Sequence, residues 1–210
     1  MMSDTVWISI APGHGSKLRP MANSFMVNDE LLKHASACRA RNDAGEPLDK
    51  SCFPDEIFGA PHARESNYKL PDLFFAGSVW AVSKAAAEVL RQFDLGGGGL
   101  YPVKVFKKDR QTPIGDGWFC VNFGNRKKAF LVSESVSMRE TYVRNGEKAW
   151  KPKAVLNDGD LAVSQIANAG ADIWIDPDVA HSFFVSEALG AALKKAKADK
   201  GFFLHKCRVI

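Results

Sequence analysis

The feature that most constrains the fold is an internal repeat at a constant offset of 103 residues. Residues 80–90 and 183–193 each contain an apolar, strand-like run, a serine, and one apolar stripe of an amphipathic helix in the same phase. A glycine-containing loop and a further strand follow each helix. We therefore predict two similar strand–helix–strand units at about 73–106 and 173–210. The identical pairs are Val82 and Val185, Ser83 and Ser186, Ala85 and Ala188, Leu90 and Leu193, and Gly98 and Gly201.

The serine of each copy stands between the strand-like run and the helical stripe. At that position the hydroxyl of Ser83 or Ser186 can accept a hydrogen bond from a free amide of the first helical turn. A catalytic nucleophile is the alternative, but neither serine lies in G-x-S-x-G, and no Asp or His recurs beside both copies. We predict that Ser83 and Ser186 are structural helix caps.

Hairpin signals complete the predicted fold. Strand-like runs flank residues 124–126, and Asn145-Gly146, a pair suited to a type I′ turn, separates two further runs. Residues 41–71 contain four prolines, so we expect an irregular surface arm or loop there. The sequence predicts one α+β domain over residues 1–210, with a mixed or antiparallel sheet, two similar strand–helix–strand units and hairpins.

The charge distribution limits the classes of partner. The chain has 28 Lys and Arg against 24 Asp and Glu, a formal net charge of +4. Residues 154–186 contain five Asp and no Lys or Arg, whereas residues 187–210 are basic. The sequence lacks the dense basic face with interleaved aromatic residues that is typical of nucleic-acid-binding proteins. The longest uncharged apolar run, residues 73–83, is far shorter than the roughly 18 residues of a membrane helix.

The four cysteines indicate neither a metal site nor a secreted disulfide framework. Cys38, Cys52, Cys120 and Cys207 are widely spaced, with no C-x-x-C and no His at zinc-site spacing. The first residues also lack the apolar core of a signal peptide. We therefore expect a cytoplasmic protein without a metal or cofactor.

The most suggestive polar cluster surrounds a tryptophan in the acidic segment. Asp172, Asp176 and Asp178 lie within seven positions around Trp174. One interpretation is a strand end followed by a helix, with Asp176 as its N-cap before Pro177. The other is an acidic and aromatic patch that contacts a partner, because tryptophan is common at interface hot spots. Both remain open, and the four residues are our candidate partner-binding set.

A second candidate site begins at His14, between Gly13 and Gly15 and directly after the first predicted strand. The segment lacks the lysine spacing of a phosphate-binding loop and the complete G-x-G-x-x-G pattern. An ordinary turn is one interpretation. The other is a pocket near His14 in an enzyme or a small-ligand-binding protein.

Three blocks of the chain resemble a bacterial immunity-protein family that is linked to polymorphic toxin systems. The resemblance covers about residues 70–210 and is carried by short, largely hydrophobic motifs. They are Pro71-Asp72, Val82-Ser83, Leu90 and residues 101–105; residues 118–122 and 131–135; and residues 174–178, 184–189 and 193–196, Gly201 and residues 207–210.

The resemblance implies a protein without catalytic activity that binds a cognate toxin domain and blocks it. The family motifs resemble framework, so no functional residue is carried over from them. From the residues alone, we place the toxin contact at Asp172, Trp174, Asp176 and Asp178, since an acidic surface would attract a basic toxin. The oligomeric state and the role of residues 1–69 stay open.

Overall fold

Two separate β-sheets, with helices packed on them, form the framework of the chain. The computed structural model describes residues 3–15, 19–142 and 148–210. The strands are β1 (Thr5–Ser9), β2 (Met21–Asn23), β3 (Glu56–Gly59), β4 (Leu73–Ala76), β5 (Val79–Ser83), β6 (Gly99–Phe106), β7 (Trp118–Asn122), β8 (Met138–Tyr142), β9 (Lys148–Pro152), β10 (Ala162–Val163), β11 (Ile173–Trp174), β12 (Phe183–Ser186) and β13 (Leu204–Val209). The helices are α1 (Asp29–Asp43), α2 (Lys84–Leu90) and α3 (Glu187–Lys195).

The strand order confirms the predicted α+β class with mixed sheets. One sheet has the order β2-β3-β6-β7-β5-β4 and the other β10-β13-β1-β12-β11, while β8 and β9 form a separate two-stranded sheet. The β3–β6 and β10–β13 pairs are parallel and the other pairs are antiparallel. The turn between β8 and β9, predicted at Asn145-Gly146, lies outside the described residues.

The two repeat units occupy equivalent places in the two sheets. The order β6-β7-β5-β4 in one sheet corresponds to β13-β1-β12-β11 in the other. Val82 pairs with Phe119 of β7 in the first unit, and the equivalent Val185 pairs with Trp7 of β1 in the second. In each unit one strand is inserted between the two strands of the repeat: β7 lies between β6 and β5, and β1 lies between β13 and β12. The inserted strand follows its unit in the chain in the first case and precedes it in the second.

A second correspondence lies above these inserted strands. The guanidinium of Arg91 lies 4.2 Å from the centre of the Phe119 ring, and the ammonium of Lys194 lies 4.8 Å from the centre of the Trp7 ring. Residues 91 and 194 are again 103 apart, so each helix end places a cation on the aromatic residue of the central strand. The units are thus alike in packing as well as in strand order.

The helices also join the units to each other. α2 contacts α3, and one hydrophobic core contains buried residues of both helices and both sheets, including Leu90 and Leu193. The amide of Asp94, after α2, donates to the Asp172 carboxylate at 2.9 Å. Reciprocally, the amide of Lys200, after α3, donates to the Asp72 carboxylate at 3.1 Å. Each unit thereby binds the loop that follows the other unit's helix.

The prediction of an irregular surface arm over residues 41–71 is wrong in part. Residues 56–59 form β3, which pairs with β2 and β6 inside a sheet. Phe53 and Ile57 are buried in a second hydrophobic core. Proline and glycine limit helix length here, but they do not prevent a short strand from pairing, which is why the sequence pattern missed β3.

Among the described residues, no helix combines the length and the apolar content that crossing a membrane requires.

Candidate functional site

The structure divides the predicted acidic patch into two buried and two partly exposed residues. Trp174 is 0% exposed and Asp176 is 1% exposed, so neither side chain is presented to a partner in this conformation. Asp172 and Asp178 are partly exposed. A partner contact by Asp172 and Asp178 stays a prediction, while Trp174 and Asp176 have structural surroundings that the sequence did not indicate.

Asp176 binds backbone amides of a distant segment. One carboxylate oxygen accepts hydrogen bonds from the amides of Ala129 and Phe130, both at 2.8 Å, and the other accepts from the amide of Asp178 at 2.9 Å. Burial raises the pKa of Asp176, and the three amide donors oppose that increase. The predicted N-cap role is wrong, because no helix follows Pro177 in this described part of the chain.

Trp174 lies inside a hydrophobic core with a cation on its ring. Its ring stacks on Phe184 with centroids 5.6 Å apart, and the Lys127 ammonium lies 3.9 Å from its centre. Lys127 also donates to the carbonyl oxygens of Ala171 at 2.6 Å and Ala167 at 3.3 Å. Burial lowers the pKa of Lys127 to about 8. These contacts give the tryptophan a packing role.

Ser83 and Ser186 both stand at helix N-termini. The hydroxyl oxygen of Ser83 accepts from the amide of Ala86, and that of Ser186 from the amide of Leu189, each at 3.2 Å. Ser83 also donates to the Asp72 carboxylate at 2.7 Å. The amides of Ser83 and Ser186 donate to the carbonyl oxygens of Asp72 and Asp172, so an Asp recurs beside both serines at an offset of 100 rather than the 103 of the repeat.

The predicted pocket near His14 corresponds to an open cleft of about 280 Å³. His14 follows β1 after a short turn, Arg139 and Lys151 come from β8 and β9, and Lys153 and His181 complete the basic groups. The other lining residues are glycine, proline, alanine or isoleucine. We call this site, defined by His14, Arg139, Lys151, Lys153 and His181, the basic cleft.

The electrostatics of the basic cleft favour negative charge. The exposed His181 has a pKa below its ordinary value, first because packing removes part of its hydration and then because Lys151, Arg39 and Arg139 repel a further proton. No carboxylate occurs among the described residues that line the cleft. An anion entering it would therefore meet several cations without a competing acidic group.

The described residues do not assemble a nucleophile with a base in this cleft. Its lining contains neither a carboxylate nor a thiol in the described part of the chain, and the His14 ring stacks on Phe203 with centroids 4.3 Å apart. The thiols of Cys120 and Cys207 are buried elsewhere, and burial raises the pKa of Cys120 to about 12. Such a thiol is a weak nucleophile at neutral pH.

Two of the four cysteines are paired, which the sequence analysis did not anticipate. Cys38 on α1 forms a disulfide with Cys52, and the imidazole of His34 lies 3.5 Å from the Cys38 sulfur. These three side chains are within 4.8 Å of one another, but the disulfide leaves no thiolate for a metal. Cys38 and Cys52 are 14 positions apart, and that separation alone does not indicate a bond between them. Disulfides persist in oxidising compartments, so the cytoplasmic location stays a prediction.

The fold and the cleft together describe an α+β protein with an open cleft lined by basic residues. This chain belongs to an immunity protein family: the model of the Immunity protein family (Imm11) matches residues 11–208. The match confirms the resemblance seen over about 70–210 and extends it to the N-terminal part of the chain. No curated protein matches the sequence significantly.

Proposed function

We propose that this protein is a non-catalytic immunity protein that binds a cognate bacterial toxin domain and neutralises it. The observation that carries the proposal is the family match over residues 11–208. The site chemistry supports it, because the described lining of the basic cleft offers charge for binding without a nucleophile and base. Neutralisation then follows from occupying the toxin's active site or holding the toxin in an inactive conformation.

The direct test is recovery of the partner. The tagged protein is purified from its native bacterium, and the bound polypeptides are identified by mass spectrometry. We expect one large secreted effector at near one-to-one stoichiometry. Expression of that toxin domain in a test strain should arrest growth, and co-expression of this protein should restore it. A recovered effector whose toxicity is unaffected by co-expression would contradict neutralisation.

Asp172 and Asp178 are our proposed acidic contacts for the toxin. Both are partly exposed, although Asp178 already pairs with Lys128 at 3.2 Å and Asp172 accepts the amide of Asp94. Exposed charges act chiefly on association rate and salt dependence. Replacing both with Asn should slow association with the toxin at low salt, and an unchanged association rate would remove these residues from the interface.

A second candidate function is the binding of a small anionic ligand at the basic cleft. The cleft of about 280 Å³ beside His14 is the observation that favours it. Thermal unfolding in the presence of phosphate, citrate or a nucleotide tests this function. A rise in melting temperature that Lys151→Gln abolishes would support it, and no change with any of these anions would reject it for these ligands.

A further inference from the structure

The hairpin of β8 and β9 places two cations directly opposite each other. Arg139 and Lys151 are cross-strand partners, so their side chains lie on the same face of the hairpin. Like charges in this arrangement repel and destabilise the pair. One position further along, Glu140 forms an ion pair with Lys148 at 2.8 Å. The hairpin therefore has oppositely charged partners away from the cleft, and like-charged partners where it lines the cleft.

The opposite wall of the cleft is formed by a histidine that is kept from gaining charge. The pKa of His181 is lowered first by loss of hydration and then by the neighbouring cations Lys151, Arg39 and Arg139, and its backbone has a φ of 57°. Few residues other than glycine adopt that left-handed conformation, so the backbone here is held by its surroundings. An anion bound between the hairpin and His181 would offset the repulsion between Arg139 and Lys151 and would favour protonation of His181.

The rim of the cleft indicates a polypeptide as the source of the anion. Val136, just before β8, is 62% exposed, and Val155, just after β9, is 73% exposed. Val155 follows the lining residue Ala154, and Ser137, next to Val136, accepts a hydrogen bond from the amide of the lining residue Lys153. Arginine is enriched at protein interfaces, and a docked polypeptide would remove both valine side chains from water. A free phosphate would use the cations but would leave these valines in water.

We propose that the basic cleft receives an acidic segment of the toxin, with an Asp or Glu carboxylate bound between Arg139 and Lys151. This inference rests on the proposed function and adds the chemistry of the partner surface. The segment's apolar neighbours would pack on Val136 and Val155. The contact would therefore combine charge with apolar burial, and the toxin surface that docks here is acidic.

The decisive variant is Lys151→Glu, because the free protein and the complex should respond in opposite directions. In the free protein the new carboxylate faces Arg139, so the repulsive pair becomes attractive and the melting temperature should stay equal or rise. In the complex the carboxylate repels the toxin's acidic side chain. Affinity for the recovered toxin domain should fall about 30-fold or more. A folding defect cannot produce both results.

Lys33→Glu is the matched control, since it makes the same charge change at an exposed position of α1. Its affinity for the toxin should stay within about 2-fold of wild type. Titration with synthetic hexaglutamate provides a probe that does not depend on recovering a toxin. Wild-type protein should bind hexaglutamate more tightly than it binds inorganic phosphate, and Lys151→Glu should lose that binding.

The outcomes separate the inference from the proposed function. Toxin affinity that is equal in Lys151→Glu and Lys33→Glu would overturn the cleft assignment and leave the immunity function standing. Phosphate binding equal to that of hexaglutamate would assign the cleft to a small anion. If a recovered toxin is not neutralised by this protein, the proposed function fails, whatever hexaglutamate does.

Discussion

Replacing Asp176 with alanine should destabilise the protein far more than replacing its neighbour Asp178. Asp176→Ala removes the acceptor for the amides of Ala129 and Phe130, which lie in residues only 1% and 8% exposed. A buried donor left without a partner costs about 1–3 kcal/mol, so two cost about 2–6 kcal/mol. Burial of the carboxylate is itself unfavourable, as its raised pKa indicates, and offsets part of this loss. We expect a net loss of about 2–4 kcal/mol.

Asp178→Ala is the matched control because it removes a carboxylate two positions away. That carboxylate forms an ion pair with Lys128, whose side chain is 74% exposed. Exposed pairs contribute about 0–1 kcal/mol. Asp176→Asn should fall between the two variants, since its single amide oxygen can accept from Ala129 and Phe130 while its NH₂ group faces the Asp178 amide, another donor.

Urea denaturation followed by far-ultraviolet circular dichroism measures the difference. The free energy of unfolding is obtained by linear extrapolation, and the variants are compared at unchanged slope. If Asp176→Ala and Asp178→Ala lose equal stability, the amide contacts contribute little and the argument for a structural Asp176 is wrong. The same pair of variants also separates folding from partner binding, which a combined charge reversal of the segment would not do.

Three further predictions concern packing, the disulfide and pH. Gly190→Ala should destabilise by about 1–3 kcal/mol in thermal melts despite the higher helix propensity of alanine, because the added Cβ would collide with the Trp7 ring; a stabilised variant would contradict this packing. Cys38→Ser should lower the free energy of unfolding by about 3 kcal/mol, because it removes the bond to Cys52 that closes a loop with a sequence separation of 14. A reductant should lower the melting temperature of the wild type but not that of the variant. Because the folded-state pKa of His181 is lowered from 6.5, the unfolded chain takes up its proton first as the pH falls, so stability should decrease below about pH 6.5 until the folded pKa is passed. His181→Asn should flatten this dependence in urea midpoints measured between about pH 7.5 and 5; an identical slope would assign the effect to other groups.

The sequence predicted the parts of the fold that depend on neighbouring residues. The serine positions and the helical stripes of 80–90 and 183–193 follow from local spacing, and the structure has α2 and α3 there. Strands at β7 and β1 were predicted too, but their place between the strands of the two units could not be predicted in the same way. Their pairing depends on contacts between segments far apart in the chain, which periodicity does not record.

The candidate site was harder to predict because burial decides the role of a charged residue. In the sequence, Asp176 and Asp178 are both acidic residues of one segment and nothing distinguishes their roles. In the structure, the donors to Asp176 include amides 46 and 47 residues away. The basic cleft was found only through His14, since Arg139, Lys151 and His181 come together where the β8–β9 hairpin bonds to residues 178–180 beside the turn that follows β1. No residue spacing in the sequence indicates that these side chains lie close together.

The position of β1 has a consequence for the time at which this sheet can be completed. β1 is synthesised before its two neighbours, β12 and β13, which follow it by roughly 180 to 200 residues, as the pairs Val6–Ser186 and Thr5–Arg208 show. At synthesis rates of about 5–20 residues per second, the ribosome needs about 10 to 40 s to deliver them. The central strand of this sheet therefore lacks both neighbours during that interval. Under the proposed function, a cell that makes toxin and antidote together would gain from starting the antidote first.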